Sequence, residues 1–282
     1  MKKSRIKKIN PLFIVVSFIF TIYAATLLYP YIWGGISSLK TPAEYYDPFS
    51  FPEKLQFINY KYAIENMSVE GISFLEMVWN SVWFSVGSTI ITIAMQAITA
   101  YVLAIYDFKG KKIINAVFLF IMVYPIYGSF PATYRLYHQL RMVDSYFILL
   151  SAFCGVSTNL LILVGYFRNL SKEYMDAAQI DGAGPLKTFC VVMLPQAMTM
   201  ISVLFLLMFL GNWNNYMSAM LYLPNKLTLA AGLYKYQEVA QRKGNFPIYF
   251  AASFIFVIPC FVLFFLLRDK IMTSISFGGL KG

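Results

Sequence analysis

Apolar residues along this chain collect in six runs, roughly 12 to 33, 78 to 106, 113 to 132, 146 to 166, 198 to 223 and 248 to 267, with polar, charged or proline-bearing stretches between them. Each run is about the length a helix needs to cross a bilayer, which is about 20 predominantly apolar residues. In hydrocarbon every backbone N–H and C=O must find a partner inside the segment, so such runs predict helices. The pattern therefore predicts an all-α membrane protein with six transmembrane helices. The run near residue 12 is too long for the apolar core of a secretory leader and lacks a convincing small-residue cleavage site, so it counts as a span.

The segments between the runs are informative in their own right. Residues 37 to 77, carrying Pro42, Pro48, Pro52, Glu44, Asp47, Glu53, Glu65 and Glu70, are too polar to span and predict extended chain with short surface helices. The cluster DFKGKK at 107 to 112 predicts a tight turn at Gly110 that closes a helical hairpin. The mixture of Arg135, His138, Arg141 and Asp144 with aromatics at 134 to 145 predicts a short interfacial helix. Residues 224 to 247 form an excursion long enough to fold back partly into the bilayer, which irregular backbone tolerates only if buried in protein or lining a wet cavity. No internal repeat survives inspection, so 1–282 is expected to be a single domain.

Composition agrees with the pattern. With 59% hydrophobic, 18% aromatic and 13% charged residues, and a mean hydropathy of +0.62, the chain has too few polar groups to cover a soluble globule. Basic residues set the expected orientation, since they are retained on the cytoplasmic side. Lys2, Lys3, Arg5, Lys7 and Lys8 precede the first run; Lys109, Lys111 and Lys112 lie between the second and third; Arg168, Lys172 and Lys187 lie between the fourth and fifth; Arg268, Lys270 and Lys281 follow the last. Both termini are therefore expected in the cytoplasm, with residues 37 to 77 outside. The net charge of +10 sits in short loops beside apolar spans, where topology and anionic lipid explain it, so no nucleic-acid partner is expected. Cys154, Cys190 and Cys260 lack metal-ligand spacing and read as small hydrophobes. His138 is the only histidine and reads as an interfacial polar residue.

One cytoplasmic loop, 171 to 195, carries the densest pattern: SKEYMDAAQIDGAGPLKTFCVVMLP. Ser171 can cap a short helix over about 172 to 180, and Glu173 suits its positive start. Gly182 and Gly184 break that helix, Pro185 suits the first position of a second one, and Pro195 is expected to end it before the next span. Tyr174, Ala177, Ala178 and Asp181 recur at three- and four-residue spacing and share one face. The two alanines leave room there for another protein to come close. By composition alone, the same segment could also lie on the cytoplasmic leaflet as an amphipathic helix.

Spacing separates these readings. Asp176, Ala177 and Ala178 are followed after three residues by Gly182, after nine more by Val192, and then by Leu194 and Pro195. This resembles the EAA signature of permease subunits of binding-protein-dependent ABC importers, with Asp176 for the usual Glu and Val192 for the usual Ile. The run from about 80 to 282, including WNNYMSAM, LTLAAGL and the ending SFGGLKG, looks like the second permease subunit of maltose-type sugar importers. The resemblance implies an ABC type I importer permease fold in a prokaryotic cell membrane, working with a homologous second permease, an ABC ATPase dimer and an extracytoplasmic solute-binding protein. It implies that Asp176, Ala177, Ala178 and Gly182 dock on the ATPase, with Tyr174 and Asp181 on the same coupling helix, while Leu194 and Pro195 mark the return to the membrane. ATP and Mg would sit on the partner ATPase, and no cofactor is expected on this chain. A phosphate-cradling loop needs G-x-x-x-x-G-K-[ST], and Gly110-Lys111 is followed by Lys112 without the earlier glycine. A lone histidine leaves no credible catalytic set, so the chain is expected to translocate rather than catalyse.

Substrate contacts are less sharply marked. Asn212, Trp213, Asn215 and Tyr216 in the fifth run, and Tyr124 in the third, are candidates because polar groups at membrane depth usually face the bundle interior or a wet path. Amides and aromatics suit the hydroxyls and C–H faces of sugars. Asn80 and Gln96 in the second run and Asn159 in the fourth are weaker candidates, and all of these amides could instead bond between helices. A secondary transporter would place ionisable residues at the midplane, and none lies there. An ABC permease for a non-sugar solute remains the nearest rival.

Overall fold

The computed structural model describes residues 11–123, 130–155, 157–171 and 173–279. In chain order these form α1 (Pro11–Ser38), α2 (Pro42–Tyr45), α3 (Ile58–Asn66), an antiparallel hairpin of β1 (Ser68–Val69) and β2 (Ile72–Ser73), α4 (Phe74–Ile105), α5 (Lys111–Val123) and α6 (Phe130–Gln139). A 3-10 helix (Tyr146–Cys154), α7 (Thr158–Asn169), α8 (Glu173–Ile180), α9 (Pro185–Lys187), a π-helical turn (Thr188–Met193) and α10 (Leu194–Trp213) follow. The chain ends in α11 (Tyr216–Tyr222), α12 (Leu229–Lys243) and α13 (Phe246–Gly279).

Among the described residues, four helices are long and apolar enough to cross a membrane: Leu12–Ser38, Phe74–Ile105, Pro185–Trp213 and Phe246–Ile271. A fifth crossing arises if Tyr146–Phe153 and Thr158–Asn169, bent by 53°, are one broken span. The remaining predicted run, 113 to 132, falls on α5 and the start of α6, with residues 124–129 between them outside the described part. The expectation of an all-α chain needs one correction, the small β-hairpin, which Gly71 closes at φ +84°. Two further boundaries differ from the pattern. The fourth run is not one α-helix but a 3-10 helix and α7. The fifth run stops at Trp213, since Asn215 Oδ1 accepts from Ser218 N at 3.0 Å and starts α11 afresh.

Pro195 does not end a helix, as expected from sequence, but lies inside a helical path that continues from Pro185 to Trp213. Proline removes one i→i−4 bond and crowds the preceding turn. The π turn immediately before it shifts the hydrogen-bond ladder by one residue, and such a bulge lets a helix pass where a regular ladder would break.

The chain resolves into two compact units, one of the described residues up to Met67 with Tyr236–Ile255, the other of Ser68–Lys235 with the described residues from Phe256 on. In the first, Lys40 is fully buried, and its ammonium donates to Asp47 O at 2.8 Å. Asn59 Nδ2 donates to Ser38 O and Lys40 O, each at 2.9 Å, tying α3 to the end of α1. Trp33 Nε1 donates to Pro48 O at 3.1 Å, and its ring meets Phe250 edge-on. Thr41 and Glu44 form a capping box on α2. Backbone N–H groups of Thr41 and Glu53 both donate to the Glu44 carboxylate, which lowers its pKa.

In the second unit α4 is the central post, packed on α7 and α10 around Ala97, Ala100, Tyr101, Leu163, Phe167, Phe189, Met193, Ala197 and Leu204. Its amino-terminal half also carries the excursion after residue 223. Asn80 Nδ2 donates to Leu227 O at 3.2 Å, Leu229 N donates to Ser81 Oγ at 2.6 Å, and Gly232 sits directly over Met77. Lys235 and Glu70 pair at 2.7 Å.

Two outcomes are expected. A Cβ at Gly155 would lie 2.7 Å from Thr92 Cγ2, so Gly155→Ala should destabilise the detergent-solubilised protein by about 1–3 kcal/mol. Thr92→Ser removes that methyl while keeping the hydroxyl bond to Ala152 O, so the double variant should regain most of the loss; a thermal-unfolding cycle of the four proteins checks this. For Glu44 the lowered pKa means that its contribution is present above the ordinary carboxylate range and is lost as pH falls through and below it. Hydrogen-exchange protection of residues 41–54, measured against the intrinsic exchange rate at each pH, should therefore fall on acidification, and Glu44→Gln should flatten that dependence.

Candidate functional site

The loop of residues 171–195 folds as two short arms. Ser171 Oγ accepts from Glu173 N at 3.3 Å and opens α8. The arm closes through paired bonds, Ala183 N to Ala178 O at 2.9 Å and Gly182 N to Gln179 O at 3.0 Å, with Gly182 at φ +75°. This is a Schellman closure, which needs a left-handed residue after the helix and so favours glycine. Gly184 then caps α9, and Pro185 occupies its first turn. Thr188, buried at the start of the π turn, donates its hydroxyl to Gly184 O at 3.1 Å and holds the bend.

Tyr174, Ala177, Ala178 and Asp181 line one side of a concavity of ≈ 350 Å³, Ala183 its turn, and Lys187, Val191 and Val192 the other side. The predicted face thus meets a second wall that the sequence reading did not name. Asp176 is exposed and outside this lining, Pro195 is exposed, and Leu194 packs against the core of the second unit. Around the concavity large apolar side chains stand in the open: Ile180 is 86% exposed, Leu186 75% and Val191 63%.

The candidate substrate residues fare differently from one another. Asn212 Nδ2 donates to Thr89 Oγ1 at 3.0 Å, and Trp213 is buried, stacked on Phe209 and Phe256 with its Nε1 donating to Phe256 O at 3.0 Å. Both serve internal packing here. Asn215 caps α11, and Tyr216 stacks on Tyr234 with centroids 4.5 Å apart. Tyr124 lies outside the described residues. Gln96 and Asn80 both bond across to neighbouring segments, Gln96 Nε2 to Gly155 O at 2.7 Å and to Ser157 Oγ at 2.9 Å.

Sequence reasoning names Gln96 by itself; what it misses is the stripe on α4 to which Gln96 belongs. Ser81, Ser85, Thr89, Thr92 and Gln96 are all buried and recur at spacings of three and four, so they stand on one face of the helix. Its members bond Leu229 N, Asn212, Ala152 O and Gly155 O. The signal was present in FSVGSTIITIAMQ as hydroxyls at helical spacing within an apolar run.

A family model, "Binding-protein-dependent transport system inner membrane component", matches residues 71–273. Among curated proteins, the diacetylchitobiose uptake system permease protein of Streptomyces coelicolor is 29% identical, covering 91% of this chain and 85% of its own length. The melibiose/raffinose/stachyose import permease protein of Bacillus subtilis is 26% identical over the full length of both. The maltodextrin transport system permease protein of the same organism is 28% identical, over 72% of this chain and 74% of that one. Among solved structures, a chain of a bacterial ABC transporter involved in import of the acidic polysaccharide alginate superposes with a TM-score of 0.78 at 20% identity, covering 96% of this chain and 99% of that one. The fold is shared with that chain.

Because nothing lies within 4 Å of a Cβ added at Gly182, the cost of substitution there is that of the backbone alone. Gly182→Ala should therefore lose about tenfold in hydrogen-exchange protection at the Ala183 amide, from a left-handed penalty of about 1–2 kcal/mol, and Gly182→Asn should lose less, since asparagine visits that region more readily.

Proposed function

We infer from one premise, that this chain belongs to the family of binding-protein-dependent transport system inner membrane components, that it is the membrane-spanning translocation subunit of an ATP-driven importer of a sugar or oligosaccharide. Relatives named for diacetylchitobiose, maltodextrin and raffinose uptake support the carbohydrate class. The observation that carries the coupling role is the loop 171–195. It presents two alanines, a capped glycine turn and exposed apolar side chains around one concavity, which suits a surface meant to be covered by another protein.

In this reading Tyr174, Asp176, Ala177, Ala178, Asp181 and Gly182 dock on an ABC ATPase, and Leu194 and Pro195 carry the movement into the membrane. The chain pairs with a homologous second permease, receives solute from an extracytoplasmic solute-binding protein, and sits in a prokaryotic cell membrane with both termini in the cytoplasm. ATP and Mg belong to the ATPase dimer. Six crossings follow if the bent pair is one span and α5 with α6 belongs to another. ATP binding closes the ATPases, moves the loop and turns the cavity outward to receive solute; hydrolysis resets the inward state. The continuous helical path from Pro185 to Trp213 supports this transmission, since a rigid rod carries a displacement at the loop to the depth of α10.

Gly182→Arg should insert normally in the membrane but lose ATPase assembly or uncouple transport from hydrolysis. Normal sugar uptake by that variant would count against docking at this turn. Gentle solubilisation of the tagged chain should recover an ABC ATPase and a second permease, identified by mass spectrometry; reproducible recovery of this chain alone, where other complexes survive, would overturn the importer reading.

A further inference from the structure

The 32 residues of α4 make a rod of about 48 Å, against about 30 Å of hydrocarbon in a bilayer and about 40–45 Å once headgroups are included. Glu76 in its first turn and the polar hairpin before it are costly in hydrocarbon, which keeps this end of α4 in the headgroup layer. A pocket of ≈ 560 Å³ opens there within the second unit, lined by Leu75, Glu76 and Trp79 of α4 together with Tyr146, Asn225 and Lys226. Sites for small ligands measure about 300–1,000 Å³.

The wall carries one charge of each sign, and the two do not pair with each other. Glu76 is exposed; its Oε2 accepts from Ser73 N and Ser73 Oγ at 2.8 and 2.9 Å in the cap of α4, whereas Oε1 accepts from none of the described residues. Lys226 Nζ donates to the main-chain oxygen of Asp144 and lies 5.8 Å from the centroid of the Tyr146 ring, but forms no ion pair among the described residues. The Asp144 carboxylate is turned to Asn225, accepting from its N and its Nδ2. Apolar surface stands open beside these charges, with Leu75 and Trp79 each 62% exposed and Tyr146 56%.

A ligand that matches this wall needs an anionic and a cationic group on one small frame, with apolar surface attached. A neutral sugar supplies neither charge. A phospholipid with an ethanolamine headgroup supplies all three: a phosphate for Lys226, a primary ammonium for Glu76 Oε1, and chains to run along Leu75 and the aromatic rings. Tryptophan and tyrosine are favoured at this depth because one end of the ring is apolar and the other wet.

We propose that this pocket binds the headgroup of a zwitterionic ethanolamine phospholipid, phosphate on Lys226 and ammonium on Glu76. Such a lipid bridges α4 to the excursion after residue 223, beside the bonds that Asn80 and Ser81 already make to it. The proposal requires only that α4 crosses the bilayer, and is independent of the solute and of the ATPase.

The test is native mass spectrometry of the full-length chain, purified with the subunits that accompany it and titrated with phosphatidylethanolamine and phosphatidylglycerol of identical acyl chains, and with glycerophosphoethanolamine, which has the headgroup without chains. The unaltered protein should bind the ethanolamine lipid about tenfold more tightly than the glycerol lipid, the scale of one charge-assisted hydrogen bond. Glu76→Gln keeps the cap, since that position takes Glu or Gln, and should lose the preference while still binding phospholipid. Lys226→Gln should weaken both lipids about tenfold. A defect of capping or packing does not distinguish headgroups on equal chains, so the selectivity reports on the pocket. Equal binding of the two lipids by the unaltered protein, or an undiminished preference in Glu76→Gln, would overturn the headgroup assignment. Glycerophosphoethanolamine binding as tightly as the lipid would make the ligand a soluble phosphate ester, and displacement of the lipid by raffinose or diacetylchitobiose would give the pocket to solute; either result overturns the lipid site and leaves the importer reading standing.

Discussion

Backbone groups freed inside hydrocarbon must be paired by something, and in this chain α4 is what pairs them. Two breaks in the helical path of the second unit face its polar stripe. Thr92 and Gln96 take up Ala152 O and Gly155 O where the 3-10 helix gives way to α7. Ser81 accepts Leu229 N where the excursion turns into α12, and neighbouring Asn80 donates to Leu227 O. Thr89 holds Asn212 just before α10 ends. Without that stripe the irregular segments would leave buried backbone groups unsatisfied, a cost that regular helices avoid.

Glycine and hydroxyl positions on facing elements fit this arrangement closely. Gly155 lies against the methyl of Thr92, so one residue both pairs the backbone and sets how near it comes, and Gly232 lies against Met77 on the same helix. The stripe reads as one designed surface rather than as scattered interhelical bonds. Two buried polar atoms on it, Ser85 Oγ and Gln96 Oε1, are left without a hydrogen-bond partner among the described residues.

The loop obeys a different constraint. It is built outside the apolar core from a capped helix, a left-handed glycine and a proline start, and each piece uses local bonds that need no partner protein. Rigidity follows from these bonds and from Thr188. The exposed isoleucine, leucine and valine around the concavity are what local structure leaves undone. Through the π turn the same chain enters α10 without interruption, so stiffness at the loop and stiffness in the membrane are continuous.

Much of this was legible in the residues themselves. Helical spacing grouped Tyr174, Ala177, Ala178 and Asp181, and local chemistry at Ser171, Gly182 and Pro185 predicted where the arms of the loop begin and end, because caps and left-handed turns depend on near neighbours in sequence. Apolar runs likewise located α1, α4 and the apolar part of α13, since bilayer thickness sets their length. Other features depended on contacts between residues far apart. The bend in the fourth run requires Gln96, some sixty positions away from Gly155; the burial of Trp213 requires the carbonyl of Phe256; and the passage of the helix through Pro195 depends on how the π turn packs Phe189 and Met193 into the core. Hydropathy averages over a window and registers neither a missing backbone bond nor the distant side chain that replaces it, so the sequence determined which segments enter the membrane, and only the tertiary structure decided where they break and what holds them there.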